Sequence, residues 1–323
     1  MNRRRLFQTA VLAVGLAGIA FAVSETLKDA KENVLPSAGA LIVSAVLCQI
    51  AIASSARAWV ALFSDLVVSR RDRSVLRGTF YLSQITKYLP VGGVAQAASQ
   101  LGLARTVGVP LKRAAVAFPV SAVGAVVGGS TLGSALVFDS KLPTWARILS
   151  LFGLATIVFL HRGLMARVLD LARRFVKRIP GSDQLPTQRD IIVFYGWALV
   201  TIGALCAAYA ILLHSLTTAM NPFVVFSAFA LSWVIGFVVV PIPAGVGVRE
   251  AVIVALLPGV GAAPLLAASL ALRLLSIATE LLSILANRVT SRLHGRRIET
   301  IEPISSALVA PEAETPVDRV SEA

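Results

Sequence analysis

Six ionisable side chains lie inside otherwise apolar stretches of the chain: Arg57, Lys87, Arg249, Glu250, Arg273 and Glu280. Centring one charge in a membrane helix costs about 2.5–3.5 kcal/mol on an insertion scale, so groups kept there are paired or face water. Four of the six are cationic. Arginine grips a phosphate bidentately, and lysine serves as a point charge. Helix N-termini opened by Gly92-Gly93 and by Gly245-Val246-Gly247 would add backbone N–H donors and positive dipole ends. The chemistry this set points to is capture of a phosphate headgroup. Each residue also has a plainer role open to it. Arg57 can snorkel to a membrane surface, Arg249 and Glu250 can form one buried pair that holds a turn, and Glu280 can balance a neighbouring charge. Lys87 stands beside a helix break, and Arg273 and Glu280 are seven apart, so they share one helix face.

Other chemistries find no residues. Cys48 and Cys206 both fall inside apolar runs, and His161, His214 and His294 are scattered, so neither a disulfide framework nor a metal-ligand spacing is present. Gly245-Val246-Gly247 follows no strand and opens no βαβ unit, so it is not a dinucleotide fingerprint. No nucleophile–base pair and no ATP-binding motif stand out. The expectation is a protein that is not an enzyme and uses no cofactor and no metal.

The elements that must position these charges are membrane helices. The 323 residues are 56% hydrophobic and 15% charged, against about 25% charged in a soluble domain. The net charge of +13 does not indicate nucleic acid, because the basic residues sit in short loops between apolar runs. Clear spans are 6–23, 36–63, 113–137, 145–160, 191–213 and 264–286, near the roughly 20 apolar residues a spanning helix needs. The first also resembles a secretory signal, with Arg3–Arg5 before it and Ala20-Phe21-Ala22 after it; an uncleaved span is the preferred reading. Of the 30 basic residues, 21 fall in the N-terminus, the 64–78, 105–113 and 161–190 segments and the exit after 286. The positive-inside rule then places both termini in the cytoplasm. The 164–178 stretch has helical spacing and reads as an amphipathic helix on the inner leaflet.

Two apolar stretches, 79–104 and 223–258, are interrupted by Pro and Gly. The first must enter and leave on the cytoplasmic side and the second on the outer side, which makes each a re-entrant hairpin. They match at an ungapped offset of 153 residues: Pro90 with Pro243, Gly92 with Gly245, Gly108 with Gly261. The expected fold is an all-α polytopic bundle of two inverted-topology repeats, about 6–137 and 145–290. It makes up a transmembrane domain over 1–298, followed by a disordered cytoplasmic tail over 299–323. Broken helices in corresponding positions of inverted repeats point to a transporter-type site near the midplane.

The second break reads Pro241-Ile242-Pro243-Ala244-Gly245-Val246-Gly247-Val248-Arg249-Glu250. It resembles the signature of the lysylphosphatidylglycerol synthase transmembrane, or flippase-like, family, and Lys87-Tyr88-Leu89-Pro90-Val91-Gly92-Gly93 looks like that family's first-repeat motif. Arg273 stands where the family usually has an arginine. After the first glycines, where members often carry a charge, this chain has Val94-Ala95-Gln96-Ala97-Ala98. No aminoacyl-transferase domain is expected within these residues, so the resemblance implies the membrane half of the activity, lipid translocation. The expected substrate is an anionic or aminoacylated phospholipid, moved across a bacterial cytoplasmic membrane through a cationic cavity between the hairpins. The expected partners are membrane lipids, with a separate transferase or a second copy of the chain as protein partners, and no nucleic acid. A secondary transporter of a small anionic solute and a non-catalytic partner of a lipid-modifying transferase are the alternatives.

Overall fold

Long apolar runs bounded by Ser and Thr set the helices. The computed structural model describes residues 35–67, 69–88, 92–105, 107–138, 144–175, 180–218, 220–238 and 247–293, and every regular element among them is helical. The expected span 6–23, the tail 299–323, and Pro90, Pro241, Pro243 and Gly245 lie outside them. Helix α1 covers Ala38–Ala61, and the Ser37 hydroxyl accepts the Ala40 N–H at 3.3 Å. Helix α2 covers Arg70–Gln84 and runs into a 3₁₀ turn at Ile85–Tyr88; α3 covers Gly92–Arg105. Helix α4 covers Leu111–Gly133 and tightens into a 3₁₀ turn at Ser134–Phe138, and α5 covers Thr144–Ala155 before a 3₁₀ turn at Thr156–Leu160. Then come α6 (Arg162–Phe175), α7 (Gln188–His214), α8 (Pro222–Val238), α9 (Val248–Leu256) and α10 (Ala262–Leu293). The Thr187 hydroxyl caps α7 by accepting the Asp190 N–H at 3.2 Å.

Four segments are long and apolar enough to cross a membrane: Ala38–Ala61, Leu111–Leu136, Gln188–His214 and Ala262–Val289. The shortest has 24 residues, about 36 Å of helix against about 30 Å of hydrocarbon. They coincide with the expected spans 36–63, 113–137, 191–213 and 264–286. The expected span 145–160 is instead a 12-residue α-helix continued by five 3₁₀ residues. The interrupted stretches are each two helices, α2 with α3 and α8 with α9. Helix α2 starts nine residues earlier than expected, inside the 64–78 loop, because Ser69 accepts the Asp72 N–H at 3.0 Å and caps it. Asp72 in the first turn offsets the helix-dipole penalty of Arg70 and Arg71.

Large aliphatic side chains face outward: Ile42, Val46 and Ile50 on α1, Leu281, Leu282 and Leu285 on α10, Phe223 and Val238 on α8. Such a belt would drive association in water and is satisfied by lipid tails. This is an integral membrane protein.

Helices α1 and α7 pack along their lengths and run antiparallel. Ser44 donates to the Ala208 carbonyl at 3.1 Å, and Thr201 to the Ala51 carbonyl at 3.4 Å, so numbering rises on one helix as it falls on the other. Helix α10 lies against α1 and α2; α4 lies against α7 and α8. The α4 contact is close because Gly124 and Gly128, and again Gly129 and Gly133, are four apart, the small-xxx-small spacing that lets membrane helices approach. A Cβ at Gly129 would fall 2.5 Å from Val234, and one at Gly133 would fall 3.3 Å from the Leu231 backbone nitrogen.

Beyond the end of α1, buried Arg113 donates to both Asp65 oxygens at 2.9 and 3.0 Å and to the Gln184 carbonyl at 2.8 Å. Asp190, also buried, accepts from Ser64 and, at 2.7 Å, from Thr187. These bonds tie the loop after α1 to the starts of α4 and α7.

Replacing Gly133 by Leu overpacks a backbone contact and lowers stability by about 1–3 kcal/mol. Gly196→Ala, inside α7 where nothing lies within 4 Å, is expected to raise it by up to about 1 kcal/mol. Apparent melting temperatures of the two variants in detergent check this contrast.

Candidate functional site

The polar residues of α10 fall on one stripe. Ser269, Arg273, Ser276, Glu280, Ser283 and Asn287 alternate steps of four and three, the spacing that keeps side chains on one face of a helix. From Arg273 onward the stripe meets polar partners from other segments. Ser276 lies 3.8 Å from Cys48 Sγ on α1, and Ser283 accepts the Gln49 amide N–H at 2.9 Å. Gly78 on α2 leaves the space that the Asn287 side chain fills. Nearby, buried Tyr209 on α7 donates its hydroxyl to the Leu265 carbonyl at 3.1 Å.

Two ion pairs lie on this stripe, each to a segment beside one of the two breaks. Lys87, in the 3₁₀ turn after α2, donates to Glu280. Arg273 donates to Glu250 Oε1 through Nε at 3.0 Å and Nη2 at 2.6 Å. The other Glu250 oxygen accepts the Gly247 N–H at 2.8 Å, across the first turn of α9. Gly247 has φ +85°, a left-handed conformation that glycine adopts without steric cost. The turn therefore aims Glu250 back at its own helix end and across to α10. Arg273 and Glu280 are seven residues apart, so the pairs are about 10 Å apart along the axis.

Arg249 follows the same turn. Its guanidinium stands over the Phe229 ring, 5.8 Å from the centroid, and its Cβ would touch a side chain placed on Gly236 of α8. An arginine on an aromatic face is held by the ring quadrupole. Arg57 stands apart from the other five. It is exposed, with its guanidinium 5.3 Å from the centroid of the Trp197 ring on α7. Of the hairpin residues, Gly92 and Gly93 open α3 and Gly247 opens α9. The pairing of Arg249 with Glu250 that the sequence allowed is replaced: Arg273 takes the carboxylate, because the turn at Gly247 points Glu250 toward α10 and leaves Arg249 against α8. The shared face of Arg273 and Glu280 is as the spacing predicts, with a separate partner for each.

Gln49, Ser276 and Ser283 escaped the sequence reading, which searched for charges. Their signal was present in the alternating four and three steps around Arg273 and Glu280. Gln84 and Gln96 also meet across the first break, at 3.4 Å. Among the described residues no three His, Cys, Asp or Glu side chains come together as a metal site.

A family profile for the lysylphosphatidylglycerol synthase TM region matches residues 8–283. The chain belongs to this family. The lysylphosphatidylglycerol synthase TM match includes Arg57, Lys87, Arg249, Glu250, Arg273 and Glu280. No curated protein matches the chain.

Breaking one pair leaves an ionised partner in a low-dielectric setting, which costs about 3–5 kcal/mol when both groups are fully buried. Lys87 keeps some exposure, so Glu280→Gln is expected to cost less, about 2 kcal/mol. The double change Lys87→Met with Glu280→Met is expected to recover most of that loss. A double-mutant cycle on thermal unfolding in detergent checks the coupling.

Proposed function

We propose that the chain translocates a phospholipid, anionic or aminoacylated, across the cytoplasmic membrane. The observation that carries this reading is the polar stripe of α10, a membrane-length helix holding Arg273 and Glu280 against partners beside two separate helix breaks. A headgroup moving along such a stripe exchanges protein partners for one another without entering hydrocarbon, while its acyl chains stay in lipid. Ionised groups in the middle of a membrane bundle mark substrate pathways by default. Membership of a family named for a lipid-modifying enzyme's membrane region supports a lipid substrate.

We read the architecture as two inverted repeats with re-entrant hairpins and both termini cytoplasmic. Three observations support it. The 153-residue offset carries 38–61 onto 191–214 within α7, 70–84 onto 223–237 within α8, 92–105 across α9, and 111–133 onto 264–286 within α10. Contacts follow the same exchange: α4 with α7 and α8 mirrors α10 with α1 and α2, and α2 with α3 mirrors α8 with α9. The corresponding helices α1 and α7 are antiparallel, as two spans of opposite direction must be. In this arrangement Arg273 and Lys87 meet the phosphate while Glu250 and Glu280 hold those cations in place, and Arg249 and Arg57 add positive potential. The helix starts at Gly92-Gly93 and at Gly247 flank the path. Transport draws on a gradient or a partner.

The test is a fluorescent-lipid assay in vesicles reconstituted with the full chain. Inner-leaflet probe is expected to become accessible to an external quencher faster than in protein-free vesicles. Arg273→Gln is expected to slow it by about ten- to a hundredfold, the loss of a charge-assisted contact. Exchange no faster than in protein-free vesicles, across anionic, zwitterionic and lysyl-bearing headgroups, removes the reading.

A further inference from the structure

We propose that the α10 site is an anion site: it takes a phosphate headgroup and rejects a headgroup made cationic by an amino acid. This rests on the reading of the α10 stripe as the substrate path, and narrows the substrate class from anionic or aminoacylated to anionic alone.

The argument is the orientation of the two ion pairs. In each, the carboxylate is the more buried partner. The Glu250 side chain is 17% exposed against 25% for Arg273, and the Glu280 side chain 9% against 27% for Lys87. A ligand approaching either pair therefore meets the cation first. Both carboxylates are already engaged by the protein. Glu250 uses one oxygen on the Gly247 N–H and the other on Arg273. Glu280 is engaged by Lys87.

The remaining carboxylates among the described residues lie elsewhere. Asp65 is bonded to Arg113 and Asp190 to Ser64 and Thr187, Asp72 is in the first turn of α2, and Asp170 and Asp183 are in the segment between α5 and α7. A lysyl headgroup would bring further positive charge beside Arg273, Arg249 and Lys87, with no unengaged carboxylate among the described residues beside them to receive it. A phosphate meets the opposite situation. Guanidinium has five N–H donors, and Glu250 takes only the Nε and Nη2 edge of Arg273, so the Nη1 group can serve an anion without releasing the protein pair. Arg249, held over Phe229 beside the same turn, adds a second guanidinium.

A phospholipid and free inorganic phosphate share this chemistry, so the test uses both. Purified full-length protein in detergent is titrated with phosphatidylglycerol, with lysyl-phosphatidylglycerol and with inorganic phosphate, and bound lipid is counted by native mass spectrometry. The expected result is retention of the anionic lipid over the lysyl lipid by about tenfold or more, the scale of one charge-assisted contact. Arg273→Glu is expected to reverse that preference. Because a single change there leaves Glu250 without its partner, the neutral double variant Glu250→Gln with Arg273→Gln is measured beside it and is expected to lose the preference while keeping the fold. Arg174→Gln on the surface of α6 is expected to change nothing. Phosphate displacing the lipid assigns the anion site to a free solute; no displacement assigns it to the headgroup, and both keep the site. Equal or tighter binding of the lysyl lipid, or an unchanged preference in the folded double variant, overturns the proposal. Anionic binding without lipid exchange in vesicles leaves the anion site standing and removes translocation.

Discussion

Inside hydrocarbon no water is present to take up a hydrogen bond, so every charge and every broken helix end must be satisfied by the protein. That constraint organises this molecule. Glu250 closes the first turn of α9 through the Gly247 N–H and reaches Arg273 with its other oxygen, so one carboxylate serves a helix start and a helix-to-helix contact together. Lys87 lies in the 3₁₀ turn before the first break and is held by Glu280. Both breaks are thereby anchored to α10. Ser276 and Ser283 alternate with the charges along the stripe, and their hydroxyls bond backward to carbonyls of the same helix, Ser276 to Leu272 and Ser283 to Thr279.

The two halves of the chain use one arrangement of helices for different ends. At the 153-residue offset, the α10 positions Ser269, Arg273, Ser276 and Glu280 fall on Val116, Val120, Val123 and Val127 of α4. Conversely, Gly128 and Gly129 of α4 fall on Leu281 and Leu282 of α10, which are exposed to lipid. Helix α4 is a packing helix whose glycines admit α7 and α8 at close range. Helix α10 is an apolar span with one polar stripe, whose partners are side chains. Arg249 likewise falls on Gln96 and Lys87 on Val240. Charge is concentrated on one helix, where opposite charges can reach one another, and an ion pair in a low-dielectric bundle has little value unless both members meet.

Much of the fold was legible in the sequence because hydropathy and length decide what crosses a membrane. The spans at 36–63, 113–137, 191–213 and 264–286 reappear as α1, α4, α7 and α10 with ends displaced by a few residues. Where the reading failed, local capping or tightening was responsible. Ser69 starts α2 inside a stretch that its four arginines mark as a loop, and the 145–160 run becomes an α-helix finished by a 3₁₀ turn. Arg113 shows the same limit on the polar side. Composition counts it among the basic residues of a short joint, yet it is buried and bonded to Asp65 and Gln184.

By itself the sequence determined that this protein lives in a bilayer and marked the four runs that the structure makes long and apolar enough to cross it. It also placed Arg273 and Glu280 on one face of α10, since a helix repeats every 3.6 residues wherever it packs. Only the tertiary structure decided which charge meets which. Lys87 and Glu280 are 193 residues apart, and Glu250 and Arg273 are 23 apart. No local rule links either pair. Partner choice depends on how α2, α9 and α10 are brought together, and on a glycine at positive φ that turns Glu250 away from its neighbour Arg249 and toward Arg273.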